Sequence, residues 1–385
     1  MNILFLTLKI FSATGGIEKV CRVAGKAMND YSIEHNEKLK IFSMHDDAQT
    51  ITEPYFPSSI FKGFAANKIL FIVRAWKRGI KSRVVVLSHI NLLLPGYLIK
   101  LFSSKTKLVL IAHGIEVWQP LSSFKQKMLQ KVDLILPVSN FTKKKMKKIF
   151  HLPEEKFVVL NNCLDPFLPT PANEAERSEW REKYRIEEND ILLMTLSRLS
   201  AKEKNKGYDR VLAAIKELQP EFPRLKYLFV GKYDEEEKKR LGVLTKSLGI
   251  EDAVIFTGFV PDTDLAFYYN MADVYIMPSE KEGFGISFIE AMYYNKPVIA
   301  GNRDGTQDAL LNGQLGILID PRSEKEIIKA IKGIIFKKSA CPDGSLRRAV
   351  APDRELLERN FSFDVYKEKW KNILLLISKV EKLNC

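Results

Sequence analysis

Cysteine is scarce in this sequence of 385 residues, and no two cysteines have the spacing of a metal-binding pair. The four are Cys21, Cys163, Cys341 and Cys385. Cysteines so few and so widely spaced argue against a disulfide framework and fit a reducing compartment. The five histidines also lack the spacing of metal ligands, so we predict no metal site.

Long apolar runs are missing as well. The two longest apolar stretches, residues 64–76 and 90–102, are each interrupted by charged residues or proline. Neither reaches the roughly 18 apolar residues that a membrane-spanning helix needs. The start of the sequence shows neither a basic segment nor a small-residue cleavage site, so we expect no signal peptide and a cytoplasmic protein.

Acidic residues are outnumbered by basic ones, with 47 Asp and Glu against 60 Lys and Arg, which gives a net charge of +13. Such an excess implies an anionic partner, and nucleic acid, lipid headgroups and nucleotide diphosphates all qualify. The sequence contains no nucleic-acid-binding motif, and its aromatic residues lie in core-like positions rather than between basic residues. We therefore expect no nucleic-acid partner.

Short apolar runs alternate with helical patterns along the chain. We predict strands at residues 3–8, 40–43, 84–88, 108–112, 133–138 and 156–161, and then at residues 191–196, 227–230, 254–257, 274–277, 297–300 and 316–320. Continuous apolar strands between helices are typical of α/β proteins with parallel sheets covered on both faces. The length favours two domains, and a cluster of prolines places their junction near Pro166.

Residues 278–290 combine two glycines and two carboxylates directly after the predicted strand 274–277. A helical pattern follows, so the local order is strand, glycine loop and helix N-terminus. Unpaired main-chain N–H groups and the positive end of the helix dipole meet at such a point, which favours an anionic ligand. Gly283 and Gly285 allow that ligand to approach the main chain, and Glu282 and Glu290 lie on either side of them.

These residues resemble the donor site of a known family. Glu-Gly-Phe-Gly from Glu282 and Glu-Ala-Met from Glu290, with seven residues between the two glutamates, are similar to the motif of retaining glycosyltransferases of family 4. The resemblance covers most of the chain and is densest over residues 192–320. It implies the GT-B fold, in which two Rossmann-like domains with parallel sheets face each other across a central cleft.

The resemblance also implies the roles of the loop residues. Glu290 would bind the ribose hydroxyls of a nucleotide-diphosphate sugar, and Glu282 would bind hydroxyls of the transferred sugar. The main chain at the helix N-terminus would receive the diphosphate through Gly283, Phe284, Gly285 and Ile286. The segment after the strand 254–257, including Val260, would line the nucleotide base.

Two cations are expected to neutralise that diphosphate. Arg198 follows the predicted strand 191–196, and Lys206 precedes Gly207 at a helix start. They resemble the paired arginine and lysine of the family, which stabilise the charge of the leaving phosphate. Lys202 and Lys204 leave the choice of lysine open. Because the two cations would replace a metal ion, the resemblance implies a metal-independent enzyme without a cofactor.

An Asp-Thr-Asp sequence at residues 262–264 offers a different interpretation. Such a pair of aspartates binds metal in another transferase fold. A helical pattern begins immediately after Asp264, so we interpret these residues as a helix cap.

The first half of the chain supplies three further candidates. Gly15 and Gly16 follow the first predicted strand, where the family has a glycine-rich loop facing the cleft, although an ordinary tight turn would look the same. His113 follows the strand 108–112, where ligands bind in open α/β sheets. It resembles the active-site histidine of the family, although a purely structural histidine is the alternative.

The third candidate is a lysine-rich helical segment, residues 141–150. It either lies on an anionic membrane or is a solvated helix whose apolar side packs on the sheet. The lysines are Lys143, Lys144, Lys145, Lys147 and Lys148.

The sequence therefore predicts a retaining glycosyltransferase that moves a hexose from a UDP- or GDP-linked sugar to a glycan or polyprenyl-linked saccharide, in surface polysaccharide or glycoconjugate biosynthesis. The expected domains are residues 1–165, which bind the acceptor, and residues 166–361, which bind the donor. A helix within residues 362–385 would return to the first domain. The expected location is cytoplasmic, or peripheral at the inner face of the membrane. The alternatives are another sugar-nucleotide enzyme of this fold and a non-catalytic nucleotide-sugar binder.

Overall fold

The computed structural model describes residues 1–171, 173–201, 204–339 and 351–379. The described chain forms two compact units, Met1–Phe167 with the described part of Asn360–Cys385, and the described part of Leu168–Arg359. Each unit contains one six-stranded sheet in which all neighbouring strands are parallel. The α/β class predicted from the sequence is thus confirmed.

The first unit has the strand order β3-β2-β1-β4-β5-β6. Its strands are β1 (Asn2–Thr7), β2 (Lys38–Ser43), β3 (Phe61–Gly63), β4 (Val84–Leu87), β5 (Lys107–Ala112) and β6 (Leu134–Pro137). Its helices before the junction are α1 (Gly16–Glu34), α2 (Lys68–Gly79), α3 (Leu93–Phe102), α4 (Ser123–Gln130) and α5 (Asn140–Phe150).

The second unit has the strand order β12-β11-β10-β7-β8-β9. Its strands are β7 (Ile191–Leu196), β8 (Leu225–Val230), β9 (Val254–Phe256), β10 (Val274–Met277), β11 (Val298–Gly301) and β12 (Ile317–Ile319). The helices from the junction onward are α6 (Glu174–Lys183), α7 (Tyr208–Leu218), α8 (Glu235–Leu248), α9 (Leu265–Met271), α10 (Ile286–Tyr293), α11 (Thr306–Ala309), α12 (Glu324–Ser339) and α13 (Arg354–Phe361). A last helix, α14 (Phe363–Lys379), belongs to the first unit and packs on α1.

Both sheets have a topological switch point. In the first unit the chain moves outward from β1 through β2 to β3 and then returns to β4 on the other side of β1. In the second unit it moves from β7 through β8 to β9 and then returns to β10. The loops that leave such a strand pair diverge, so a crevice opens at the carboxyl ends of the two strands, where ligands bind in open α/β sheets.

One predicted strand is wrong, and one observed strand was missed. Residues 156–161 form no strand, because only Phe157 pairs with Ile135 as an isolated bridge. The main-chain N–H groups of Val158 and Leu160 still donate to the edge strand β6, which explains the apolar pattern of this segment. The missed strand, β3, has three residues and lies at the sheet edge, so it carries no alternation that sequence could reveal.

The prediction of a helix cap at Asp264 is confirmed in position but not in its side-chain hydrogen bond. Asp264 precedes α9, but its side chain accepts no hydrogen bond from the first turn of that helix. Residues Asp262–Asp264 instead form a single 3₁₀ turn that leads into α9. The hydroxyl of Thr263 donates to the Asp264 carboxylate at 3.0 Å.

Candidate functional site

The glycine loop of the second unit lies at the carboxyl end of β10, beside the switch point. Gly285 has a φ of 86°, and a Cβ atom added there would lie 2.3 Å from Cδ2 of Phe288. Only glycine fits this left-handed turn, which directs the chain into α10 at Ile286. Within the described residues, no side chain caps α10, so its first-turn N–H groups are suited to an anionic ligand. Phe284, between the two glycines, is buried.

Lys206 and Glu282 are brought together, although 76 residues separate them. The Lys206 ammonium donates to Oε2 of Glu282 at 2.5 Å, and both side chains are largely buried. Lys206 ends a 3₁₀ turn, Lys204–Lys206, just before α7. A short charge-assisted contact of this kind fixes both groups at the mouth of the glycine loop. Lys202 and the side chain of Lys204, the alternative lysines, lie outside the described residues.

Arg198 lies at the same edge of the sheet. It follows β7, which pairs with β10 through Val274 and Tyr275, and its side chain is exposed. The carboxyl ends of adjacent parallel strands share one sheet edge. Arg198, the glycine loop and the Lys206–Glu282 pair therefore surround the switch point of the second unit.

Asp304 holds the glycine loop in place through hydrogen bonds, a role that the sequence analysis missed. Its Oδ2 accepts hydrogen bonds from the main-chain N–H of Glu282 at 2.7 Å and from the Ser279 hydroxyl at 2.8 Å, and its Oδ1 accepts one from the Thr306 N–H at 3.0 Å. Asp304 is fully buried. Burial raises the pKa of Asp304 to about 6, although the hydrogen bonds from Thr306 and Ser279 oppose the rise.

Glu290 lies one turn into α10 and is buried. The hydroxyl of Tyr269, on α9, donates to Oε2 of Glu290 at 2.9 Å. Burial, followed by the charge of Glu290, raises the pKa of Tyr269 well above its ordinary value, so this hydroxyl keeps its proton. The arrangement fixes the Glu290 carboxylate one turn from the N-terminus of α10.

Val260 follows β9 at the opposite edge of the second sheet and is buried. The main-chain N–H of Gly231 donates to the carbonyl of Gly258 at 3.1 Å. This contact joins the loop after β8 to the loop after β9. The main chain around Val260 therefore lies at the same carboxyl edge of the second sheet as Arg198.

In the first unit, a buried aspartate holds the loop that carries Gly15 and Gly16. Asp46 accepts hydrogen bonds from the N–H groups of Ile10 at 2.8 Å, Phe11 at 3.0 Å and Ser12 at 2.6 Å. The loop therefore has a fixed path from β1 to α1, which begins at Gly16. It lies at the switch point of the first sheet, as a ligand-facing loop would.

His113 follows β5 in the same unit and is partly buried. Its Nε2 lies 2.7 Å from the carbonyl oxygen of Ser88, which follows β4. A carbonyl only accepts, so Nε2 carries the proton and donates. The main-chain N–H of His113 donates to Oε1 of Glu116 at 2.6 Å. These two contacts hold the imidazole at the carboxyl ends of β4 and β5.

Both aspartates that the sequence analysis overlooked follow a strand of their sheet. Asp46 comes three residues after β2, and Asp304 comes three residues after β11. That position was the available signal, since strand ends face the ligand-binding edge. In the residues that the structure describes, no group of three or more His, Cys, Asp or Glu side chains is placed to hold a metal ion. Within the same residues, every helix is too short or too polar to cross a bilayer.

Two α/β units in one chain, each with a parallel sheet, form the architecture of the GT-B class of glycosyltransferases. Solved structures share this fold, including Anabaena HepE in complex with UDP and glucose (TM-score 0.78, 19% identity, 97% of this chain and 99% of that one). Another is the sucrose-phosphate synthase of Thermosynechococcus elongatus (TM-score 0.76, 17% identity, 98% of this chain and 99% of that one).

Two family models match the chain in succession. Residues 30–166 match Glycosyltransferase Family 4, and residues 176–343 match Glycosyl transferases group 1. Together the two models show that the chain belongs to glycosyltransferase family 4.

Two of the curated proteins that the chain resembles are mannosyltransferases. A GDP-mannose-dependent alpha-(1-6)-phosphatidylinositol monomannoside mannosyltransferase of Mycobacterium tuberculosis is 29% identical over 241 residues, which is 59% of this chain and 60% of the relative. The O-antigen chain mannosyltransferase B of Escherichia coli is 28% identical over 195 residues, 50% of this chain and 49% of the relative. The chain spans about 60% of the length of the first curated relatives that it matches.

Proposed function

We propose that the protein is a retaining hexosyltransferase that uses a UDP- or GDP-linked sugar. The observation that carries this proposal is the 2.5 Å contact between Lys206 and Glu282 beside the uncapped N-terminus of α10. A cation and a carboxylate at this point match the two ends of a donor, because the cation faces the diphosphate and the carboxylate faces the sugar hydroxyls.

The proposed reaction breaks the bond between the sugar C1 and the β-phosphate oxygen. The bond to the acceptor oxygen forms on the same face of the sugar, through an oxocarbenium-like ion pair, and the departing phosphate oxygen takes the proton of the acceptor hydroxyl. Arg198, Lys206 and the N–H groups at Gly283–Ile286 stabilise the negative charge that develops on the leaving group. In this scheme no metal ion is needed.

The remaining residues orient the two substrates. Glu290 binds the ribose hydroxyls, the main chain near Val260 lines the base, and Glu282 holds the sugar. In the first unit, His113 and the loop at Gly15 and Gly16 contribute to the acceptor site. The proposed acceptor is a glycan or polyprenyl-linked saccharide in surface polysaccharide or glycoconjugate biosynthesis. The names of the relatives, which act on a phosphatidylinositol mannoside and on an O-antigen chain, support a saccharide acceptor in general. We also propose a cytoplasmic location, with peripheral membrane contact through Lys143 to Lys148.

The test is a thermal-shift screen of the purified protein with UDP, GDP and ADP sugars, followed by transfer assays with polyprenyl-linked saccharides and sugar phosphates. We expect binding of a UDP or GDP sugar, transfer with retained anomeric configuration, and full activity in EDTA. An inverted product or strong inhibition by EDTA would contradict the mechanism. Hydrolysis that is unaffected by any acceptor would identify another sugar-nucleotide enzyme of this fold.

Glu282→Ala provides the matching variant. We expect turnover to fall by about 10²-fold or more with the fold intact, because a transition-state contact is lost. Lys281→Ala is the control, since Lys281 is exposed in the same loop and should leave turnover near the wild-type value. Near wild-type transfer by Glu282→Ala would refute the assignment.

A further inference from the structure

Two neighbouring helices of the first unit expose large apolar side chains. On α2, Ile69 is 79% exposed and Val73 is 41% exposed. On α3, Leu101 is 58% exposed and Phe102 is 68% exposed. A helix that packs only on its own sheet buries such residues and exposes polar ones. These two helices therefore bury one apolar side in the core and present a second one to the outside.

The exposed side chains form one surface because the helices pack in sequence, α2 on α3 and α3 on α4. Trp76 of α2 contacts Phe102 of α3 with ring centroids 5.3 Å apart, and Tyr97 of α3 contacts Phe124 of α4 at 6.3 Å. Of the 15 exposed large apolar side chains in the described part of the chain, seven lie on these three helices. The seven define the α2–α4 surface: Ile69, Leu70, Val73, Leu94, Leu101, Phe102 and Phe124.

The same part of the sequence is strongly basic. Residues 54–115 contain ten Lys and Arg residues and no Asp or Glu. Lys100 and Lys107 pair with Asp133, at 2.8 Å and 3.9 Å. Within the described part of the chain, no ion pair neutralises the exposed cations of α2, which are Lys68, Arg74 and Lys77. The α2–α4 surface is thus apolar and bordered by uncompensated positive charge.

We propose that the α2–α4 surface docks on an anionic lipid bilayer. The apolar side chains enter the boundary between headgroups and acyl chains, and Lys68, Arg74 and Lys77 contact lipid phosphates. A second copy of the chain fits this surface poorly, because a symmetric contact places the same basic patch against itself. The inference goes beyond the proposed reaction and does not depend on it.

The lysine-rich helix α5 differs from this surface in two respects. Lys143 and Lys147 both pair with Glu154, and Met146 and Phe150 are buried in the core of the unit. The apolar side of α5 is therefore buried in the core, and the positive charge of α5 is partly neutralised by Glu154. On this basis α5 adds attraction for an anionic surface, whereas the α2–α4 surface supplies insertion.

The experiment is co-sedimentation of the full chain with vesicles of phosphatidylcholine alone and of phosphatidylcholine with phosphatidylglycerol, over a salt series and without donor. We expect binding only to the anionic vesicles, and weaker binding as salt rises. The double variant Ile69→Glu/Phe102→Glu should lower the partition coefficient at least about tenfold. Arg74→Gln/Lys77→Gln should lower it about fivefold for each cation removed.

Two controls separate this surface from general effects. Val243→Glu replaces an apolar side chain that is also exposed but lies on α8 of the second unit, and it should bind vesicles as the wild type does. Lys144→Gln/Lys148→Gln on α5 should cost less than Arg74→Gln/Lys77→Gln. Circular dichroism and melting temperature check that each variant is folded.

Three outcomes would overturn the proposal. The first is equal binding to neutral and anionic vesicles. The second is unchanged binding of a folded Ile69→Glu/Phe102→Glu variant, or an equal loss in Val243→Glu. The third is a stable dimer in light scattering that becomes monomeric in Ile69→Glu/Phe102→Glu, which would assign the surface to a second copy of the chain.

Discussion

The buried carboxylate of Asp304 accepts a hydrogen bond from the main-chain N–H of Glu282, with 2.7 Å between nitrogen and oxygen. The Gly305 N–H donates to the carbonyl of Glu282 at 2.8 Å. The peptide groups on both sides of Glu282 are thus fixed by the loop after β11. The position of the Glu282 side chain therefore depends on residues 304 and 305.

The stability of the protein should depend on pH through Asp304. The pKa of Asp304 is raised from 3.8 to about 6 by burial, so the folded state holds the proton more tightly than the unfolded state. Its contribution to the free energy of unfolding is therefore fully present below about pH 4 and is lost as pH rises through 6. Between pH 5 and pH 7.5 the loss should be about 1–2 kcal/mol.

Urea unfolding at these two pH values measures the effect. Asp304→Asn removes the titrating group, so the difference in stability between wild type and variant should change with pH by that amount. A pH-independent difference would contradict the raised pKa.

Gly305→Ala should disturb the glycine loop sterically. A Cβ atom at residue 305 would lie 1.9 Å from the Gly283 carbonyl oxygen and 2.8 Å from that of Glu282. Main-chain atoms cannot move aside as a side chain can, so the loop must shift. We expect kcat/KM to fall at least about tenfold, because a displacement near 1 Å at a reacting group has effects of this size or larger.

Gly242→Ala is the matched control for this substitution. Gly242 lies within α8, and a Cβ atom there would meet nothing within 4 Å. We expect unchanged activity and a gain of about 0.5–1 kcal/mol in stability from the helix propensity of alanine. Equal activity of the two glycine variants would show that the loop tolerates the shift.

Lys206 and Glu282 should act as a coupled pair. Their side chains lie 2.5 Å apart, so replacing either one also changes the charge environment of the other. We expect Lys206→Ala and Glu282→Ala each to lower kcat/KM strongly, and the double variant to lose less than the product of the two. The coupling free energy should be about 1–3 kcal/mol. A double-variant cycle on kcat/KM measures it, and strictly multiplicative losses would indicate independent roles.

Glu290 should determine the preference for ribose. Its carboxylate is buried, and Tyr269 holds it at 2.9 Å, so it is preorganised to accept hydrogen bonds from two hydroxyl groups. We expect the wild type to bind the nucleoside diphosphate about tenfold more tightly than its 2′-deoxy form, and Glu290→Gln to lose most of this preference.

Titration calorimetry with both nucleotides provides the measurement. Tyr269→Phe keeps the carboxylate but removes its hydroxyl partner, so it should reduce the preference only in part. A Glu290→Gln variant that still discriminates fully would remove Glu290 from the ribose site.

Several features follow from sequence because they depend on local patterns. The strands at residues 191–196 and 274–277 are observed with the predicted bounds. A short apolar run between polar residues or proline determines such strands within a few residues. The strand–loop–helix arrangement around Gly283 and Gly285 belongs to the same group.

Other features were beyond the sequence because distant residues decide them. Asp304 lies in the loop after β11, and the pairing of β11 with β10 brings it to the glycine loop. The strand at residues 156–161 has a suitable apolar pattern, but only one of its residues pairs with β6. On α2, Phe71 is buried and Ile69 is exposed, and the apolar sequence pattern alone does not show which of them the fold covers.

By itself, the sequence determined the α/β class, the alternation of strands and helices, and the glycine loop with its two glutamates. The tertiary structure decided which strands are neighbours, that Lys206 reaches Glu282, that buried aspartates hold both switch-point loops, and which apolar side of α2 and α3 remains exposed. The division has one physical cause. Backbone propensity and hydrophobic period act over a few residues, whereas contacts between charged groups and the burial of a helix face depend on segments that only folding brings together.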